Sequence, residues 1–203
     1  MKFAIGIPTL NRADLLFPSL NLYCNRDFPT TKIYILDNGN QNIKPPKSNV
    51  EIINCENLSV AASWNKLSNI IFEDNEFALI LNDDIYLGKN ENQIHELMKK
   101  KKPMRCMLDW CAFLLPRSVY KKVGVFDEQF TPAYYEDSDY EYRAKLLNLH
   151  VVKTPELNPY VYLSNQTLKK NPALAEMVKA NKLRYIEKWG GEPNREIFKS
   201  PKK

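Results

Sequence analysis

Glycine is scarce in this 203-residue chain, with 6 residues, and histidine is scarcer, with 2. No Gly-rich phosphate loop is present, and no Ser, His and Asp constellation suggests nucleophilic catalysis. No apolar run approaches the roughly 20 residues needed to cross a bilayer, so no membrane span is expected. The opening MKFAIGIPTLNR is interrupted by Pro8, Asn11 and Arg12. It reads as a first buried strand rather than a secretory signal, and a cytoplasmic protein is expected. Cys24, Cys55, Cys106 and Cys111 lack the paired C-x-x-C spacing of a zinc site and the density of a disulfide scaffold. Free thiols in a reducing compartment are the expectation. The net charge of +5 is mild, and part of it sits in Lys99, Lys100, Lys101 and Lys102, continued by Arg105, and in the tail residues Lys199, Lys202 and Lys203. A solvated helix end accounts for the run. Without interleaved aromatics or a recognition module, no nucleic-acid partner is expected.

What is present reads as one globular domain, or one domain with a short appendage, since 44% of residues are hydrophobic and 26% charged. Short apolar or β-branched runs at 2–7, 32–36, 50–54 and 77–81 are bounded by turn formers, as buried strands are. Asn11 is placed to cap a helix through Leu15, Leu16 and Leu20, with Pro18 kinking it or delaying its start. Ser59 caps a second helix in which Val60, Trp64, Leu67 and Ile71 recur at helical spacing. Later segments predict a helix near 92–101, a strand at 112–115, a short helix at 118–123 and a loop at 124–135. A helix at 136–147, a strand at 151–153 and a last helix at 173–189, ended by Gly190 and Gly191, follow. Strands alternating with helices predict an α/β fold, with a mainly parallel, Rossmann-like central sheet flanked by helices.

In such sheets ligands collect beyond the carboxyl ends of the strands. Four polar segments occupy those positions: Pro8-Thr9-Leu10-Asn11-Arg12, Asp37-Asn38-Gly39-Asn40, Glu56-Asn57 and Asn82-Asp83-Asp84. They should converge on one edge. Asp37-Asn38-Gly39 alone would be a turn signal. Adjacent carboxylates at a strand exit repel unless something positive compensates them, and a hard cation such as Mn²⁺ or Mg²⁺ is the economical candidate. A solvated Asp-Asp turn is the plain alternative. A second dense segment places Glu136, Asp137 and Asp139 behind Tyr134 and Tyr135 at a helix start. Acids there stabilise a first helical turn without any function, and Asp139 and Arg143 stand at ion-pair spacing. A carboxylate beside two rings that could stack on a sugar is equally a general base for an acceptor hydroxyl.

Together IPTLNR, LDNGN, ENLSVAASWN, LILNDD and VFDEQFTPAYYEDSDYEYR, in this order and spacing, resemble the inverting glycosyltransferases of family 2, which have the GT-A fold. The resemblance spans residues 2–147. It implies that Pro8, Thr9, Leu10, Asn11 and Arg12 cradle a nucleotide, that Asp37 contacts the base, and that Asn57 and Asn65 belong to an Asn-rich donor segment. Asn82-Asp83-Asp84 matches the DxD-type motif. Asp84 is then the ligand of Mn²⁺ or Mg²⁺, while Asp83 and Asn82 contact ribose or sugar. Asp137 matches the catalytic base, with Glu136, Tyr134 and Tyr135 as acceptor or sugar contacts. Trp110 lies where relatives shape the acceptor cleft, a buried core position being the alternative. Two departures stand out: Asn82 where many relatives carry Asp, and Tyr162-Leu163-Ser164-Asn165-Gln166-Thr167 where many place a His. His95 and His150 do not fit that role.

FDEQF followed by the acidic pair resembles the rhamnosyltransferase-like branch. The implied reaction moves a hexose or deoxyhexose, rhamnose included, from a UDP- or dTDP-sugar to a glycan hydroxyl by metal-assisted inverting displacement. The implied organisation is a single domain over 1–203, with a nucleotide-sugar half at about 1–87, an acceptor half at about 104–170 and a C-terminal helix and tail at 171–203. A non-catalytic nucleotide-sugar or glycan-binding module, as one part of a larger polypeptide, is the rival from another class. A sugar nucleotidyltransferase is disfavoured because the loop from Pro8 to Arg12 lacks glycine.

Overall fold

A computed structural model describes residues 1–162 and 174–201. Its strands are β1 (Phe3–Thr9), β2 (Ile33–Asp37), β3 (Val50–Asn54), β4 (Phe77–Leu81), β5 (Ile85–Tyr86), β6 (Met104–Arg105), β7 (Ala112–Pro116), β8 (Val152–Lys153) and β9 (Val161–Tyr162). The helices are α1 (Ala13–Leu22), α2 (Val60–Asp74), α3 (Glu91–Met98), α4 (Arg117–Val123), α5 (Glu136–Leu146) and α6 (Leu174–Trp189). Seven strands form one sheet in the order β3-β2-β1-β4-β7-β6-β8, while β5 and β9 pair separately. The first four strands of that order run parallel, β7 is antiparallel to both neighbours, and β6 and β8 are parallel. The chain is thus a single α/β domain with a mixed, mainly parallel sheet.

The centre of the sheet is buried on both faces, which explains why β4 reads as the unbroken apolar run FALIL. Phe77, Leu79 and Leu81 join Leu16 and Leu20 of α1 and Ile94 and Leu97 of α3 in one core layer. Ala78 and Ile80 point the other way, into Trp64, Leu67 and Ile71 of α2 and Val119 of α4. A Cβ at Gly6 would stand 2.8 Å from Ile80 Cδ1 and 3.2 Å from Leu67 Cβ, so glycine lets α2 close on β1. Ser59 caps α2 as expected, its hydroxyl accepting from Ala62 N at 3.2 Å.

Asn11 does not cap α1. Arg12 holds the cap position without a side-chain bond, and Asn11 is instead in the left-handed region at φ 54. Pro18 lies inside α1, which runs on into a π-helical turn at Tyr23–Asp27, held by burial of Leu16, Leu20 and Tyr23. Helix α3 begins at the capping box of Asn90 and Gln93 and stops at Met98, leaving Lys99 to Lys102 exposed. Arg105, expected to extend that solvated run, is instead buried and paired with Glu141.

Helix α6 ends at Gly190, at φ 76, and packs Tyr185 and Trp189 against Phe130 and Tyr142. Trp189 Nε1 donates to Asp139 Oδ1 at 2.8 Å, and Arg143 Nε donates to Asp139 Oδ2 at 2.8 Å, the ion pair expected from spacing. Leu163 to Thr167, where a family His was sought, and Ala173, the expected start of the last helix, lie outside the described residues. Among the described residues no helix is long and apolar enough to cross a membrane.

Candidate active site

Parallel pairing of β3, β2, β1 and β4 brings their polar exits to one edge. Thr9 lies opposite Asp37 in register, and Asn38 N donates to Thr9 O at 2.9 Å. A Cβ at Gly39 would collide with the Asn11 side chain, so the first two exit loops touch only because that residue is glycine. Asp37 is fully buried and organises its own turn: Oδ1 accepts from Gly39 N and Gln41 Nε2, each at 3.0 Å, and Oδ2 from Gln41 N at 2.7 Å. Asn38, the next residue of that exit segment, ties this turn to α2 by donating to Ser63 Oγ at 3.1 Å.

At the exit of β4, Asn82 N donates to Cys111 O at 2.8 Å, which fixes the motif against the end of β7. Burial pushes Asp83 up to about 6, and the neighbouring charge of Asp84 adds to this. The Thr9 hydroxyl, close to Asp83 yet without a partner of ordinary hydrogen-bond geometry, and the Arg12 guanidinium act in the opposite sense. Asp84 is raised by burial first and then by Asp109, again opposed by Arg12, and its Oδ1 is buried without a partner. Arg12 also pairs with Asp14 at 3.2 Å.

The second acidic group is at the start of α5. Tyr134 and Tyr135 are both left-handed, at φ 74 and 76, immediately before the acidic pair. Such backbone costs about 1 kcal/mol or more per residue for a side chain of this size and persists only where surroundings enforce it. Asn181 of α6 does so, its Nδ2 donating to Thr131 O, Ala133 O and Tyr134 O at 3.2, 2.9 and 3.2 Å. Glu136 is buried, its Oε2 lacks a partner, and burial followed by the Asp137 charge pushes its carboxyl far up. Asp137 is also raised by burial; Ser138 N at 2.6 Å and Ser138 Oγ at 3.3 Å donate to its Oδ1, and Arg105 favours its charged form. The Tyr134 phenol is raised by burial and then by Glu136, Asp109, Asp137 and Asp84. It therefore feels the charge of both carboxylate groups.

Not every expected residue stands free for a ligand. Trp110 is 4% exposed and sits among Trp64, Phe113, Phe126 and Tyr140, with Nε1 donating to Glu141 Oε1 at 2.9 Å. The core alternative is the one realised. Asn65 is a staple: Nδ2 donates to Phe126 O at 2.9 Å and Glu128 Oε1 at 2.8 Å, and Oδ1 accepts from Phe126 N at 2.8 Å. Tyr135 packs its ring 5.7 Å from that of Tyr185. Asn57 and Leu10 are exposed and Pro8 half-buried at the same edge. Asp109, which no motif announced, acts on Asp84 and Tyr134 from the loop between β6 and β7, its Oδ1 accepting from Cys111 N at 2.6 Å.

The fold is GT-A-like, the fold of the solved glycosyltransferases that it superposes on. No family model and no curated protein sequence matches the chain. Among solved structures, it superposes on the mannosyltransferase PcManGT from Pyrobaculum calidifontis in complex with GDP-Man and Mn²⁺, with TM-score 0.64 and 12% identity over 94% of this chain and 65% of that one. It also superposes on S. aureus TarS 1-349 in complex with UDP-GlcNAc, with TM-score 0.62 and 13% identity over 92% of this chain and 67% of that one. Against the longer S. aureus TarS chain the TM-score is 0.59 at 14% identity, and only 40% of that chain is covered.

Proposed function

We propose that the protein is an inverting glycosyltransferase, transferring a hexose or deoxyhexose from a nucleoside diphosphate sugar to a glycan hydroxyl. The observation that carries this reading is the pair of buried, unpartnered carboxylate oxygens, Asp84 Oδ1 and Glu136 Oε2, in two acidic groups that both act on the Tyr134 phenol. Two adjacent acids raised by burial, with the Arg12 guanidinium favouring the charged form of both, form a site for a hard cation and a diphosphate. Asp84, with Asp83 beside it, would hold Mn²⁺ or Mg²⁺. When bound, that cation offsets charge on the departing diphosphate.

The chain's own residues account for the rest. Pro8 to Arg12 and the turn of Asp37 to Asn40 flank the nucleotide, and Arg12 meets its phosphates. Glu136, holding its proton tightly, can donate one hydrogen bond to a sugar hydroxyl and accept another. Asp137 is the base: Ser138 holds Oδ1, and Oδ2 takes the proton of the acceptor hydroxyl. The freed oxygen then forms its bond to the anomeric carbon as the bond to the nucleoside diphosphate breaks, inverting configuration. A single base suffices because no side chain becomes glycosylated. Neighbours that bind UDP-GlcNAc and GDP-Man support a nucleotide-sugar donor here, and the UDP- and dTDP-sugars are the donors to try first.

The test is a screen of nucleotide sugars for thermal stabilisation with and without Mn²⁺, since a ligand of the folded state alone must raise its stability. One donor should stabilise the wild type in a cation-dependent way and leave Asp84→Ala unmoved. Equal stabilisation of both would remove Asp84 from the site.

A further inference from the structure

Beside the carboxylates assigned to the donor, the loop between β6 and β7 gathers Cys106, Asp109 and Cys111, one ligand atom of each lying within 4.8 Å of the others. The two sulfurs are 3.5 Å apart, and both belong to free thiols. A tetrahedral cation with Zn–S bonds of about 2.3 Å holds two thiolates about 3.8 Å apart, so a shift of a few tenths of an ångström would accommodate it. A disulfide, at about 2.05 Å, needs a far larger closure.

The loop is also braced as a ligand loop would be. Cys106 N donates to Ala112 O at 2.9 Å, Asp109 N approaches Cys106 Sγ at 3.5 Å, and Cys111 N donates to Asp109 Oδ1. The last two donors orient ligand atoms, Cys106 Sγ and Asp109 Oδ1, and favour their anionic forms, whereas Cys106 and burial push the Cys111 thiol up until a cation offsets them. Both cysteines are buried while Asp109 is half-buried, which leaves the carboxylate side as the route in.

We propose that Cys106, Asp109 and Cys111 bind a thiophilic divalent cation of the zinc class, with water in the fourth position. Two sulfurs and one oxygen select against Mn²⁺ and Mg²⁺, which prefer all-oxygen sites, so this site is chemically distinct from the one at Asp84. Each thiol that ligates releases its proton to solvent. The proposal does not depend on the glycosyltransferase reading. Because Asp109 raises both Asp84 and Tyr134, a cation bound to it would relieve the repulsion that the donor site feels.

The test uses the whole chain, purified under reducing conditions, loaded with Zn²⁺ and freed of excess in the presence of Mn²⁺. One zinc per chain should remain by elemental analysis, and Co²⁺ in its place should give thiolate-to-cobalt charge-transfer absorption. Cys106→Ser and Asp109→Asn should each weaken zinc affinity about tenfold or more, with Asp84→Ala retaining it. A wild-type chain that holds no zinc, zinc retained unchanged in both variants, or thiol titration showing Cys106 and Cys111 joined as a disulfide would each overturn the proposal. The wild-type measurement stands even if a variant fails to fold.

Discussion

Replacing Asp83 by Asn should make the cation-free protein more stable while removing donor binding. Burial carries the Asp83 carboxyl from 3.8 to about 6. A shift of about two units corresponds to roughly 3 kcal/mol of cost when the group is ionised in the folded state, an upper bound given its partial solvent contact. The sign follows from proton binding. Between about pH 4 and pH 6 the folded chain keeps a proton that the unfolded chain has released, so stability falls as pH rises through that window. Above it the cost is constant. Asn carries no such cost, and a gain of about 1–2 kcal/mol raises the Tm of a chain this long by about 2–8 °C. Thermal unfolding in chelator should show the variant more stable at pH 7 and equal to wild type at pH 4. A variant no more stable at pH 7, or a gain independent of pH, would refute the assignment of strain to this carboxylate.

Asn65→Ala should cost about 1–3 kcal/mol in chemical denaturation, because it leaves Phe126 N and O without their partner; unchanged stability would return Asn65 to the donor site. Trp110→Ala should cost about 3–5 kcal/mol by opening the aromatic core around it, whereas a residue lining the acceptor cleft would alter acceptor KM with little effect on Tm. The raised Asp137 carboxyl predicts an acid limb in the pH dependence of kcat/KM above the ordinary aspartate range, activity falling as pH is lowered through it. A profile flat down to pH 4 would contradict that role.

Much of the sheet was legible: 77–81 matches β4 end to end because a doubly buried strand leaves an uninterrupted apolar run, and 50–54 matches β3, an edge strand in which Val50, Ile52 and Ile53 still mark the strand between turn formers. The helix opened by Ser59 was equally plain, since a cap and a 3.6-residue stripe coincide. Two-residue strands such as β5, β6 and β9 carry no periodicity, and their pairing comes from tertiary contacts alone. Asn11 read as a cap because Asn is a good one, yet its contact with Gly39 imposes a left-handed backbone. The candidate site was visible wherever chemistry lay at a strand exit. Asp109 and Asn181 were not, because one acts from a loop without a motif and the other from a helix remote in sequence. The pairing of Cys106 with Cys111 was only faintly visible, since four intervening residues lie at the long end of zinc-ligand spacing but a single pair names no site, and the loop's fold is what brings Asp109 to the two sulfurs.

The most direct test of the proposed chemistry compares wild type with Asp137→Asn for release of nucleoside diphosphate from the donor identified by thermal stabilisation, in the presence of Mn²⁺ and a glycan acceptor. The expected result is donor binding retained and turnover reduced by at least about a hundredfold, in line with loss of a general base. Undiminished turnover in Asp137→Asn, or no turnover in the wild type against any acceptor despite cation-dependent donor binding, would contradict it.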